Sequence, residues 1–147
     1  MGPDSPGPEA WSDLEVVAAT IALEAAAESY VAKLAVGYVI RNRTNPGTSW
    51  KRVCLKPWQF SCWNDDYKEQ AGERLKLRTA TRADSWKAAS SAMNALEPDP
   101  THGATHYLNI PLTKRTRGGT LPAWAENAVN ENKVTAEIGA HTFLRLK

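Results

Sequence analysis

The chain has 147 residues and a formal net charge of +2, with 42% hydrophobic and 23% charged residues. This balance fits one globular domain with its own core and excludes a disordered or low-complexity chain. No apolar run approaches the ~18 residues of a membrane-spanning helix. Two cysteines are too few for a disulfide scaffold, and the mildly basic balance suits an anionic partner without demanding one.

In chain order, residues 1–10, MGPDSPGPEA, read as a disordered tail, and residues 11–147 as a single domain. The tail lacks the basic and apolar regions of a secretory signal. Ser12 is placed as a helix N-cap. Glu15, three residues on, completes a capping box, and Trp11 and Val16 stand at the positions of a hydrophobic staple. Leu14, Val17, Ile21 and Ala25 recur at helical spacing and mark one buried stripe. Glu24 lies beside that stripe, and Glu28, four residues further, is expected on the same face. Ser29 reads as a second N-cap, opening a more apolar helix to Arg43 that is expected to be the central one. Like charges at this spacing next to apolar surface are a poor choice for stability, so the pair is a candidate for chemistry. The plain alternative is two solvated glutamates on an alanine-rich face.

Thr44–Ser49 punctuates a turn, and Trp50–Leu55 fits a short helix capped by Ser49 and stopped before Pro57. Trp58–Asn64 is an aromatic loop with polar residues interleaved, and Asp65–Arg82 a charged loop with some helix. Asp84–Leu96 is amphipathic, with Trp86, Ala89, Met93 and Leu96 as its apolar stripe, ended by Pro98 and Pro100. Thr105–Asn109 reads as a short strand, Thr113–Gly119 as a basic mobile loop, and Trp124 as the start of a helical or irregular return. His141–Leu146 alternates and reads as a strand able to pair with Thr105–Asn109. The element order predicts an α+β fold of lysozyme-like type, a mainly helical body with a small antiparallel sheet beside a substrate cleft.

Five segments in this order, LEAAAESYVAKLAVGYVIRNR, QFSCWN, PTHGATHYLN, then Trp124, then IGAHTFLR, resemble the cell-wall hydrolase family named for the spore-cortex-lytic enzyme of germination. The resemblance spans about Trp11 to Arg145, and phages carry stand-alone versions of this family as endolysins. It implies a lytic transglycosylase acting on the glycan strands of bacterial peptidoglycan. Separately, no cofactor, no metal and no nucleic-acid or membrane partner is expected, and a monomeric state is. The resemblance implies Glu24 as the catalytic acid. Glu28 is then a second carboxylate that tunes Glu24 or holds a loop. Ala26 and Ala27 stand where the family usually has Arg-Gly. Gln59, Phe60 and Ser61 are expected to line the cleft, Gln59 offering its amide to an N-acetyl group. His106, Tyr107 and Asn109 are expected to face the cleft, with Tyr107 bonding to the sugar, and Trp124 to stack on a sugar face. Each has a structural alternative: a polar loop packed by Phe60, Tyr107 in a strand core, Trp124 in the core. His141 and Phe143 are read as structural.

Cleaving a glycosidic bond needs an acid to protonate the leaving oxygen, and ordinary glycosidases add a second carboxylate about 5–5.5 or 6.5–9.5 Å away. A lytic transglycosylase manages with one glutamate. The substrate's N-acetyl group steadies the sugar cation, and the same glutamate, now a base, draws the muramic 6-hydroxyl into a 1,6-anhydro ring. A hydrolytic muramidase using both Glu24 and Glu28 is the nearest alternative. A zinc amidase or peptidase on His102, His106 and His141 with Asp99 has no recognisable zinc spacing, and neither Cys54 nor Cys62 stands in a nucleophile context. A binding module built on Lys114, Arg115, Arg117 and the tryptophans is the non-enzymatic reading. An endolysin with no export signal is expected to build up in the host bacterial cytoplasm and then be released to the wall.

Overall fold

A computed structural model describes residues 8–45, 48–56, 60, 63 and 79–146, the first four of the last stretch by backbone alone. Pro8–Ala10, part of the expected tail, instead forms a short 3-10 turn with Pro8 buried. Helix α1 (Asp13–Glu24) then starts on its capping box: Glu15 N donates to Ser12 Oγ at 3.1 Å and Ser12 N donates to Glu15 Oε1 at 3.0 Å, an arrangement worth about 1 kcal/mol. Helix α2 (Tyr30–Arg43) starts on Ser29, whose Oγ accepts from Ala32 N at 3.3 Å. Helix α3 (Trp50–Leu55) starts on Ser49, whose Oγ accepts from Arg52 N at 3.2 Å.

Helix α1 is buried all round from Val16 to Ala22, whereas Leu14 is 37% exposed. The expected single stripe is therefore wrong: elements pack on every side of this helix. Its one polar residue in that run, Thr20, is satisfied, donating to Val16 O at 2.8 Å and accepting from Trp63 Nε1 at 2.6 Å. Helix α2 is buried from Ala32 to Ile40 and touches α1, α3, the next helix and the sheet, the central position expected of it.

Helix α4 (Thr79–Met93) presents a face of small side chains, with Ser85, Ala88, Ala89 and Ala92 all fully buried. Of the expected stripe only Ala89 is fully buried, and Leu96 lies beyond the helix and is 67% exposed. Close approach explains this: a Cβ on Gly37 of α2 would lie 2.9 Å from Ala92 Cβ. Bulky side chains do not fit such a crossing, and Trp86 and Met93 pack at its margin.

Strands β1 (His106–Leu108), β2 (Val134–Ile138) and β3 (His141–Leu144) form an antiparallel sheet in the order β1-β3-β2. The expected pairing of the first and last strands is present, His106 opposite Leu144 and Tyr107 opposite Phe143. Alternation sends Tyr107 and Phe143 toward the helical body, where Phe143 packs with Ala35 and Val39. Leu108 and Leu144 face the other way, onto Ala125 and Ala128 of helix α6 (Ala123–Asn130). Between β1 and α6 the expected basic loop is instead a helix, α5 (Ile110–Thr116). Asn109 caps its start, Pro111 sits in its first turn, and Gly118 and Gly119 at positive φ close it, Gly119 N donating to Lys114 O at 2.7 Å. Lys114, Arg115 and Arg117 are exposed there.

Candidate active site

Glu24 is the last residue of α1. Ala25 leaves the helix at φ −134° and ψ 33°, and the turn returns through Glu28 N donating to Ala25 O at 3.1 Å before Ser29 opens α2. Glu28 thus belongs to the turn and does not share a helical face with Glu24, contrary to the sequence expectation. The first helix has already ended at Ala25, and Ser29 opens the next one with an extended backbone. Lys33, buried at 3% exposure, donates from Nζ to Glu28 O at 2.5 Å and clamps this turn from below.

The two carboxylates meet different partners from the sheet. Tyr107 donates its hydroxyl to Glu24 Oε1 at 2.5 Å. Glu28 points at the β2–β3 turn: His141 Nδ1 lies 3.8 Å from Glu28 Oε1, and a Cβ on Gly139 would lie 3.3 Å from both carboxylate oxygens. Gly139 also holds φ +58°, which favours glycine. The His141 ring stands edge-on to Tyr107 with centroids 5.0 Å apart. Burial pushes His141 below its ordinary value, and the nearby Glu28 and Glu24 charges act in the opposite direction. His141 thus touches both the Glu28 carboxylate and the tyrosine that holds Glu24.

Arg43 comes in from the end of α2. Its Nε donates to Thr105 O at 2.5 Å, and its guanidinium lies over the Phe60 ring, 5.0 Å from the centroid. Burial lowers its pKa, partly offset by Tyr107, Cys54 and Glu24, which face it. Sequence reasoning passed over Arg43. Its signal was there, a charged residue four after Val39 on an otherwise buried helix face.

The other expected residues separate. Phe60 is fully buried, which fits the packing alternative, while Gln59 and Ser61 lie outside the described residues. His106 is on the opposite face of β1 from Tyr107. Its Nδ1 is 2.9 Å from Thr105 Oγ1 and its ring 5.4 Å from that of Trp124. Trp124 is 41% exposed on α6 and not core. Asn109 Oδ1 accepts from Leu112 N at 3.0 Å as the cap of α5, a structural task. Among the described residues no three His, Cys, Asp or Glu side chains gather as a metal site. Asp99 instead organises its own turn, accepting from Thr101 and Gly103 backbone N–H groups and from Asn42. Cys54 is a buried free thiol pushed up to about 12 by burial; Cys62 lies outside the described residues.

A family model described as Cell Wall Hydrolase matches residues 27–144. That stretch includes Glu28, Tyr107 and His141 and starts just after Glu24, so the case for Glu24 is geometric. The fold is similar to the catalytic domain of the germination-specific lytic transglycosylase SleB from Bacillus anthracis, with a TM-score of 0.64 and 23% identity over 94% of this chain and 99% of that one. It is also similar to the catalytic domain of the Bacillus cereus SleB protein, with a TM-score of 0.62 and 23% identity over 99% and 100%. No curated protein sequence matches the chain. The lysozyme-like α+β architecture expected from element order is the fold of these domains.

Proposed function

The chain belongs to the cell wall hydrolase family, and we propose that this peptidoglycan-cleaving enzyme cuts the bond between N-acetylmuramic acid and N-acetylglucosamine as a lytic transglycosylase. The observation that carries the reading is the Tyr107 hydroxyl on Glu24 Oε1 at 2.5 Å, across the gap between helix and sheet. It positions the carboxyl group at the end of α1, as a general acid–base residue requires.

Glu24 protonates the glycosidic oxygen as the bond to the anomeric carbon breaks. The substrate N-acetyl oxygen shares the positive charge that develops on that carbon. Glu24, now a carboxylate held by Tyr107, takes the proton of the muramic 6-hydroxyl as its oxygen closes on the anomeric carbon. The products are a 1,6-anhydro-muramic end and a free glucosamine hydroxyl, and Glu24 ends protonated as it began. Glu28 turned toward Gly139 and His141 supports a one-carboxylate scheme over a hydrolytic pair. In this reading Trp124 stacks on a sugar. We extend the proposal to a phage endolysin that builds up in its host and then reaches the wall, supported by the resemblance to a family that phages carry in stand-alone form.

Mass spectrometry of soluble products from purified peptidoglycan tests the chemistry, with wild type and Glu24→Gln side by side and EDTA as control. Anhydro-muramic ends, absent with Glu24→Gln, are the expected result. Reducing muramic ends would replace the ring closure with water attack and return Glu28 to the mechanism. Cut peptides on intact glycan, lost in EDTA, would overturn the glycosidic reading.

A further inference from the structure

The described residues line a groove of about 960 Å³ that does not include Glu24 or Tyr107 and is linked to them through Arg43. Its wall is α3 with the residues either side, and its floor includes Thr105 and His106, which directly precede Tyr107. Four cations line it, Arg43, Lys51, Arg52 and Lys56, against one acid, Glu9. The chain's 18 Lys and Arg nearly balance its 16 Asp and Glu, whereas in this groove cations outnumber acids. The groove contrasts with the acidic turn of Glu24 and Glu28. Arg43 belongs to both places: it lines the groove and faces Glu24 and Tyr107. Lys51 also donates to Glu9 O at 3.1 Å, which fixes its ammonium at the rim. Arg52 and Lys56 are exposed and open to a ligand.

A neutral glycan does not call for such a groove. The groups of peptidoglycan that match it are the carboxylates of the short peptide that hangs from the lactyl group of muramic acid, on the same ring whose anomeric bond is cut. Resting on the glycan-cutting reading, we infer that the groove beside α3 binds this acidic stem peptide, and that the enzyme favours muramic residues that carry it. Arg52 and Lys56 take carboxylates at the outer end, and the peptide draws its sugar toward Glu24.

The test compares kcat/KM on peptide-bearing glycan strands with that on strands stripped by an amidase to the lactyl carboxylate. Wild type is expected to prefer the peptide-bearing strands by about tenfold, the worth of two exposed charge pairs. The double variant Arg52→Glu, Lys56→Glu is expected to lose that preference and to cut stripped strands at the wild-type rate. Equal wild-type rates on the two substrates, or a preference that survives in the variant, would overturn the inference. Arg52→Gln with Lys56→Gln is the second variant should charge reversal impair folding, and thermal melts by circular dichroism report on both. If wild type cuts neither substrate, the glycosidic reading has failed and the groove is judged by NMR titration with the free stem tetrapeptide. Shifts at the amides of α3, lost in the variant, then support the groove, and no shifts overturn it.

Discussion

The Tyr107 hydroxyl and Glu24 Oε1 stand 2.5 Å apart, although one residue ends the first helix and the other lies mid-strand in the sheet. A hydrogen bond to a charged group contributes about 1.5–3 kcal/mol. In the proposed scheme the bond is felt mainly when Glu24 is an anion, so Tyr107→Phe removes that much from the step in which Glu24 gives up its proton to the leaving oxygen. We expect kcat to fall about 10- to 100-fold with KM little changed. The ring contacts with His141 and Phe143 remain, so the melting temperature stays close to wild type. An unchanged kcat would show that the hydroxyl does not act on the acid.

Gly37→Ala probes the helix crossing that carries the site. Alanine gains about 1 kcal/mol in helix propensity over glycine, but its Cβ would sit 2.9 Å from Ala92 Cβ and 3.3 Å from Ile21 Cδ1. Ala92 Cβ is fixed to the α4 backbone and has no rotamer to swing away, so crowding wins. Urea unfolding should show a net loss of about 1–3 kcal/mol. Ala92→Gly in the same chain should restore most of it, and no loss in the single variant would mean that the helices have room to part.

His141 sets a pH dependence of stability. Its folded pKa is lowered by burial, so between that value and the ordinary 6.5 the unfolded chain binds more protons than the folded one. Its contribution is therefore fully present above pH 6.5 and declines as pH falls through 6.5 toward the folded value. Melting curves across this range should show the decline in wild type and a shallower one in His141→Gln. NMR titration of the His141 ring checks the direction: a midpoint at or above 6.5 would contradict it.

Cys54 should be inert in the folded protein. With its thiol pushed up to about 12 and no exposed surface, the thiolate is about one part in 10⁴ at pH 8. Iodoacetamide should label Cys54 only after denaturation, read by peptide mass spectrometry so that Cys62 is scored separately. Rapid labelling of Cys54 in native buffer would show that this part of the core opens.

What the sequence disclosed follows from how local each signal is. Ser12, Ser29 and Ser49 cap helices within three residues of themselves, and all three starts are where the sequence places them. The packed face of α4 was hidden because the eye follows Trp86 and Met93, whereas a close crossing selects alanines, a choice dictated by Gly37 on another helix. Helix α5 hid behind a run of charge, though Asn109 and Pro111 form a start signal. Of the site, Glu24 and Tyr107 were each legible, but their bond was not, since 83 residues separate them. Glu28 was misplaced because spacing of four reads as one face only while the helix continues.

The strand that joins the sheet comes last: β3 lies between β1 and β2 and follows both. During synthesis β1 leaves the ribosome with no strand beside it, because its neighbour has yet to be made. Helix α1, which carries Glu24, is made long before α4, against which it packs, and Tyr107 waits for Phe143, its partner across the sheet. A nascent chain therefore carries Glu24 long before it carries the tyrosine that holds it, and the strand bearing Tyr107 gains its neighbour only as the last strand slots into the middle of the sheet.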